Sequence, residues 1–173
     1  RGHLLGTYES LPLGFKRLAR YNPFMTSSFG ILFDCDGTLI RSLDLGMDSY
    51  HYAFQKIGEP QRESHEIKQY FGAGADRIFM HLLQDEEKAL KAFDYYFEHE
   101  TNQVSKILLH DGVNELLSNL IARSVPMGVV TGRHSRDLEM IFNHHDLVKT
   151  FKTLVCDNHL SHSKPHPEGI LLG

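Results

Sequence analysis

The sequence predicts an α/β fold, with a parallel sheet flanked by helices and an all-helical segment inserted after the first strand. Three observations lead there. Short apolar runs at residues 29–33, 126–130 and 153–156 are each followed by polar residues, as in buried parallel strands. Stretches with apolar residues three and four apart separate the second and third runs, which is the pattern of crossover helices. Between residues 43 and 107 only helical periodicity is found, which marks an insertion and not another strand unit. The length of 173 residues suits one domain with a modest insertion. An apolar content of 41% with 23% charged residues disfavours disorder and a coiled coil.

The elements follow in order. The run at 29–33 delivers Asp34 at the carboxyl end of the first strand. From 43 to 57, Leu43, Met47, Tyr50, Phe54 and Ile57 form an amphipathic helical stripe closed by Gly58 and Pro60. A second helix over 64–71 ends at Gly72, and a glycine-rich turn precedes a third over 77–83. Asp85 is placed to cap a fourth helix whose first turn carries Glu86 and Glu87 and whose stripe is Leu90, Phe93 and Phe97. After Gly112, the residues Val113, Leu116, Leu117, Leu120 and Ile121 predict a helix with one buried face. The strand at 126–130 leads to Thr131, and Ser135 is placed to cap a helix with the stripe Leu138, Ile141 and Phe142. Pro167 opens a last helix after the strand at 153–156.

Polar residues recur at the carboxyl ends of the strands: Asp34 and Asp36 after the first, Thr131 after the second, and Lys164 beyond the third. Open α/β sheets bind their ligands at that edge. Two carboxylates two residues apart on an extended segment point the same way, and Gly37 lets the backbone turn sharply beside them. Paired acids of this kind can hold Mg2+ or divide nucleophilic and acid–base work. A hydroxyl and an ammonium converging on the same point suit a phosphate.

The segments Phe33-Asp34-Cys35-Asp36-Gly37-Thr38-Leu39, Val129-Val130-Thr131-Gly132-Arg133 and Ser163-Lys164-Pro165-His166-Pro167, in this order, resemble the motifs of the haloacid dehalogenase superfamily, specifically its helical-cap, phosphoglycolate-phosphatase-like members. The resemblance implies a Rossmann-like parallel-sheet core over 25–42 and 108–173, with the cap over 43–107. It implies Asp34 as nucleophile forming an aspartyl-phosphate, and Asp36 as general acid and then base. Mg2+ would be the cofactor, held by Asp34 and by the backbone carbonyl of Asp36. Thr131, the Gly132 amide and Lys164 would hold the phosphate. Gly74 and Arg77 would contribute substrate contacts from the cap, with Arg41 and Arg133 weaker candidates. The implied activity is a phosphatase acting on a small phosphorylated metabolite, phosphoglycolate- or sugar-phosphate-like, with a phosphomutase of the same superfamily as the alternative.

One departure stands out. The family carries a fourth, acidic motif on a further strand beyond the lysine, and its acid completes the metal site. The sequence ends at Gly173, before such a strand, so the core is expected to be incomplete at its C-terminal end, as in a fragment of a longer enzyme. A truncated, non-catalytic protein that binds a partner through its exposed sheet edge or cap is the competing reading.

The remaining features narrow the class. A net charge of −4 without a block of like charge argues against nucleic acid as partner. No apolar run approaches a membrane span. Two cysteines, Cys35 and Cys156, are too few for a disulfide framework and suit the cytoplasm. Cys35 is expected to pack in the core. His159, His162 and His166 are expected in a solvated loop, because Pro165 and Pro167 break the helix that would align them as metal ligands. Residues 1–24, which precede Met25, are expected to be an extension.

Overall fold

An apolar segment as short as 31–33 satisfies its backbone by pairing on a sheet, and in the computed structural model, which describes residues 29–173, Ile31–Phe33 is strand β1. The expected extension over 1–24 lies outside the described residues. A tight turn follows, and Ile40–Arg41 forms a second, two-residue strand, β2. Four helices come next: α1 (Leu43–Lys56), α2 (Ser64–Lys68), α3 (Ala75–Leu83) and α4 (Glu86–Asn102). The chain returns through β3 (Leu108–Leu109) and α5 (Val113–Ala122), and then alternates β4 (Met127–Val130), α6 (Ser135–His144), β5 (Thr153–Val155) and α7 (Glu168–Leu172).

The main sheet is parallel in the order β1-β4-β5, with Ile31 opposite Met127 and Gly128 opposite Thr153. Among the described residues β1 is therefore an edge strand, and Leu32 is partly exposed there. The expected α/β class is the observed one. The sequence reading lacked the ribbon β2–β3, an antiparallel pair that sets Ile40 against Leu109 and Arg41 against Leu108. Two-residue strands carry no periodic signal. The ribbon nevertheless joins the points where the chain leaves for the four helices and comes back from them, so it closes the helical block at its base.

Two apolar clusters follow this division. One is built on the sheet, with Cys35, Leu39, Ile107, Val129, Leu138, Ile141 and Phe142 among its buried members. Cys35 is fully buried there, in the core as expected. The other lies within the helical block, where Phe54, Ile67, Ile78, Phe79 and Tyr96 pack together. Phe79 is at its centre, with its ring centroid 5.1 Å from that of Tyr50 and 5.5 Å from that of Phe54. Aromatic contacts of this geometry add to the gain from burial.

The structure also corrects some helix faces. In α4 the buried line is Ala89, Ala92, Phe93, Tyr96 and Glu100, and Leu90, expected in the stripe, is exposed. The two alanines occupy the buried face of the helical cluster, one position away from the larger residue. In α5 only Val113 and Leu117 are buried, whereas Leu116 and Ile121 are exposed. Asp85 caps α4 as expected, accepting from the Lys88 amide at 3.1 Å. The cap of α6 is His134 and not Ser135, with the imidazole Nδ1 accepting from the Arg136 amide at 3.1 Å. No helix among the described residues is long and apolar enough to cross a membrane.

Truncating Phe79 to alanine removes a buried aromatic from the centre of its cluster and is expected to cost about 3–5 kcal/mol. Leu90→Ala, on the solvent side of α4, should stay within about 0.5 kcal/mol of the parent. Urea denaturation of the two variants measures both, and equal losses would contradict the observed seam.

Candidate active site

The end of β1 turns on the Cys35 carbonyl, which accepts from the amides of Thr38, Leu39 and Ile40 at 3.2, 2.8 and 3.1 Å. Gly37 sits in this turn at φ +71°, a conformation that side chains with a Cβ rarely adopt. The result is that Asp34 and Asp36 both line one cavity of about 200 Å3 between the sheet edge and the helical block. Its other polar lining comes from Ser42, Tyr50, Tyr96, Gly132, Arg133, Asp137 and Lys164.

Asp34 and Lys164, 130 positions apart in sequence, meet here. The Lys164 ammonium donates to Asp34 Oδ1 at 2.8 Å and to the Val130 carbonyl at 2.9 Å. Asp34 Oδ1 also accepts from the Cys35 amide at 2.8 Å. Thr131 is buried at the end of β4, where its hydroxyl oxygen accepts from the Arg133 amide at 3.1 Å. Gly132 lies under the loop that precedes α3, and a Cβ built on it would stand 2.6 Å from the Gly72 carbonyl oxygen. Only glycine permits this close approach of the block to the sheet edge.

Arg133 is the residue that sequence reasoning undervalued. Its guanidinium is nearly fully buried and reaches both acids beside it. Arg133 Nε donates to Asp36 at 2.9 and 3.1 Å, and Nη1 donates to Glu100 Oε2 at 2.7 Å. Glu100, which lies on the buried face of α4, is completely buried and also accepts from the Tyr96 hydroxyl at 2.9 Å. The Ser42 hydroxyl donates to Asp36 Oδ1. Asp36 is thus held from the core by Arg133 and from the start of α1 by Ser42. Sequence reasoning missed Glu100. The available signal was a carboxylate on an apolar helix face, which calls for a buried cation. Burial withdraws charge stabilisation from Arg133, but Asp36 and Glu100 outweigh it and hold its pKa well above the ordinary value. Burial, reinforced by Glu100, pushes the phenols of Tyr50 and Tyr96 well above theirs. Both line the cavity as protonated hydroxyls.

Gly74 and Arg77 have a different place from the one expected of substrate contacts. The Gly74 amide donates to Asp157 Oδ2 at 2.9 Å, and Arg77 Nε pairs with the same oxygen at 3.0 Å. Arg77 also reaches the Ser163 hydroxyl at 3.0 Å and the Leu160 carbonyl. Asp157 is buried behind β5, so this contact clamps the block to the loop that carries Lys164. Neither Gly74 nor Arg77 lines the cavity. Arg41 forms a solvent-facing pair with Asp111 at 2.7 Å, away from the cavity.

Mg2+ fits the donors present. Asp34 Oδ1 is occupied by Lys164 and the Cys35 amide, which leaves Oδ2 for an ion, and the turn's amides address the Cys35 carbonyl and not that of Asp36. One carboxylate oxygen and one carbonyl, with water and phosphate oxygens, form a set that suits this hard cation. His162 and His166 are exposed in a loop, as expected, and their rings pack against each other with centroids 4.4 Å apart. Glu168 binds the His162 ring at 3.0 Å and accepts from the Ser161 and His162 amides, which ties the loop together.

Comparison with known proteins shows the family and the fold. The family model described as haloacid dehalogenase-like hydrolase matches residues 31–173. A phosphoglycolate phosphatase from Nitrosococcus oceani is 26% identical over 82% of this chain, and the pyrophosphatase PpaX of Oceanobacillus iheyensis is 27% identical over 81%. The chain spans 66% and 64% of the lengths of these two relatives, respectively. The solved structure of CbbY from Rhodobacter sphaeroides in complex with phosphate superposes with a TM-score of 0.70 at 18% identity, covering 83% of this chain and 69% of that one. A likeness at that identity speaks for the fold.

Two measurements test the charge arrangement. Glu100→Ala leaves a buried guanidinium short of a partner and should lower unfolding free energy by about 3–5 kcal/mol. Glu100→Gln, which keeps an acceptor, should cost less in the same urea titration. Asp137 is buried and lines the cavity, and its Oδ1 has no hydrogen-bond partner among the described residues. Burial, with Glu100 nearby, pushes its pKa well above 3.8. Because the folded state then keeps a proton that the unfolded state has lost, this residue makes stability fall as pH rises from about 4 towards the folded pKa. Asp137→Asn should gain on the parent across that window, and parallel stability–pH curves for the two proteins would refute the assignment.

Proposed function

The chain belongs to the haloacid dehalogenase-like hydrolase family, and from that premise we propose that it is a Mg2+-dependent phosphoric monoester hydrolase acting on a small phosphorylated metabolite. The observation that carries this reading is the meeting of the Asp34 carboxylate, the Asp36 carboxylate and the Lys164 ammonium at one cavity on the carboxyl edge of the sheet. Asp34 attacks phosphorus. A bond forms between its carboxylate oxygen and phosphorus as the bond to the leaving oxygen breaks, which leaves an aspartyl-phosphate on the protein. Asp36 gives a proton to the leaving oxygen and then takes one from the water that attacks the intermediate.

Lys164 offsets the negative charge that would otherwise oppose the approach of a phosphate to Asp34. Thr131 and the Gly132 amide supply the remaining contacts to phosphate oxygens. Asp34 and the Asp36 carbonyl would hold Mg2+, which would supply charge neutralisation. Arg133 and Ser42 fix where the Asp36 carboxyl sits, and the helical block covers the site as a cap that excludes water. Two buried free cysteines suit a reducing compartment, and cytoplasmic placement is part of the same reading.

The test is phosphate release from p-nitrophenyl phosphate by the full-length protein with Mg2+. Chelation of the metal should abolish release. Asp34→Asn should show neither turnover nor a hydroxylamine-sensitive phosphoenzyme, and Asp36→Asn should be slower by about 10²–10⁴. Absence of turnover in the parent, or unimpaired turnover in Asp34→Asn, would refute the proposal.

A further inference from the structure

The part of the cavity that faces the helical block differs chemically from the part at the sheet edge. Its wall is Leu43, Gly46, Tyr50, Phe71, Ile78 and Tyr96, with Ala73 and Ala75. Among the described residues, Lys164 and Arg133 are the cations that line the cavity. Both are already engaged. Lys164 is bound by Asp34 and by the Val130 carbonyl. Arg133 is shared between the carboxylates of Asp36 and Glu100, so one guanidinium faces two acids. Arg77, the cation of the block that sequence analysis offered for an anionic substrate, is bound to Asp157 and two main-chain carbonyls outside the cavity. Asp34 and Asp36 also line it, so each lining cation already has a lining carboxylate beside it, and the Asp137 carboxyl adds no cation.

We infer that the leaving group bound beside the helical block is uncharged, so that the substrate is a small phosphate monoester with a neutral tail and not one carrying a second anionic group. The inference rests on the phosphatase reading and narrows its substrate class. A carboxylate or second phosphate at the block end would lose water against apolar and aromatic walls without gaining a free cation. A hydroxylated tail of a few carbons meets no such cost. Its carbon skeleton can lie against Leu43, Ile78 and the tyrosine rings, and its hydroxyls find Ser42 and the phenols. The volume of about 200 Å3 falls below the roughly 300–1,000 Å3 of sites for drug-sized ligands, which restricts the tail to a few heavy atoms.

The discriminating pair is 2-hydroxyethyl phosphate and phosphoglycolate, which share a skeleton and differ in the charge of the tail. The full-length protein with Mg2+ should hydrolyse the hydroxyethyl ester with a kcat/KM at least tenfold higher. The Asp34→Asn protein, which cannot turn over, should bind that ester at least tenfold more tightly by calorimetry. Phe71→Arg introduces a cation on the partly exposed wall of the cavity and should reduce both ratios to threefold or less. Equal or better use of phosphoglycolate by the parent, equal or tighter binding of it by the Asp34→Asn protein, or ratios that Phe71→Arg does not move, overturn the inference while leaving the phosphatase reading intact. Hydrolysis of neither compound, with the neutral ester still bound more tightly, overturns the phosphatase reading alone. Binding of neither overturns both.

Discussion

A guanidinium removed from water must be paired, and the pairing of Arg133 constrains the rest of this molecule. Arg133 follows Thr131 and Gly132 just beyond the end of β4, and it is nearly fully buried between Asp36 and Glu100. Asp36 belongs to the sheet edge and Glu100 to the helical block. One side chain therefore joins the two apolar clusters at the point where the candidate chemistry sits. Coulomb attraction inside a protein is strong enough to matter only because water is absent, and the same absence makes an unpaired member costly. The block is therefore registered on the core by a charge requirement as well as by its fit. The clamp of Asp157 on Arg77 and Gly74 repeats the device outside the cavity.

The close approach at Gly132 gives this registration its precision. A loop whose carbonyl comes this near to a neighbouring main chain tolerates no Cβ between them, and the charges that draw the block down can act only because the backbone leaves room. The ribbon β2–β3 then holds both ends of the block at the base. Attachment at the base combined with ionic contacts at the rim makes the block a separately packed unit held in a defined position over Asp34. Movement of such a unit has to break or slide the Arg133 and Asp157 contacts, and so opening would be felt at Asp36 through the guanidinium that holds it.

The parts of this arrangement that were legible in the sequence are those with a local signature. The runs ending at Asp34 and Thr131 announced parallel strands because burial on both faces demands continuous apolar residues. Leu138, Ile141 and Phe142 announced their helix face by spacing, and all three are buried. The motifs Asp34-Cys35-Asp36-Gly37-Thr38 and Ser163-Lys164-Pro165 placed a carboxylate and an ammonium at one edge, and the fold brings them to 2.8 Å. What escaped was non-local. Arg133 and Glu100 are 33 positions apart, and nothing in either neighbourhood names the other. Leu90 looked like a core residue by its place in the stripe, yet the buried face of α4 runs through Ala89 and Ala92 instead. Arg77 looked free because its partner Asp157 lies 80 positions away on a different structural unit.

The same distinction explains why membership of a hydrolase family fixes one half of the site more firmly than the other. The sheet edge must present a carboxylate, an ammonium and a cluster of hydrogen-bond donors wherever a phosphate is to be handled, since the charge of that group does not vary. The wall opposite meets whatever is attached to the phosphate, and its chemistry is set by side chains such as Leu43, Phe71 and Ile78, which answer to no motif. In this chain the cations that reach the cavity are already paired with acids: Lys164 with Asp34, and Arg133 with Asp36 and Glu100 at the joint between the two units. A cation committed to holding the structure together is unavailable to a ligand, and so the internal charge pairing that positions the block also decides what the block can recognise.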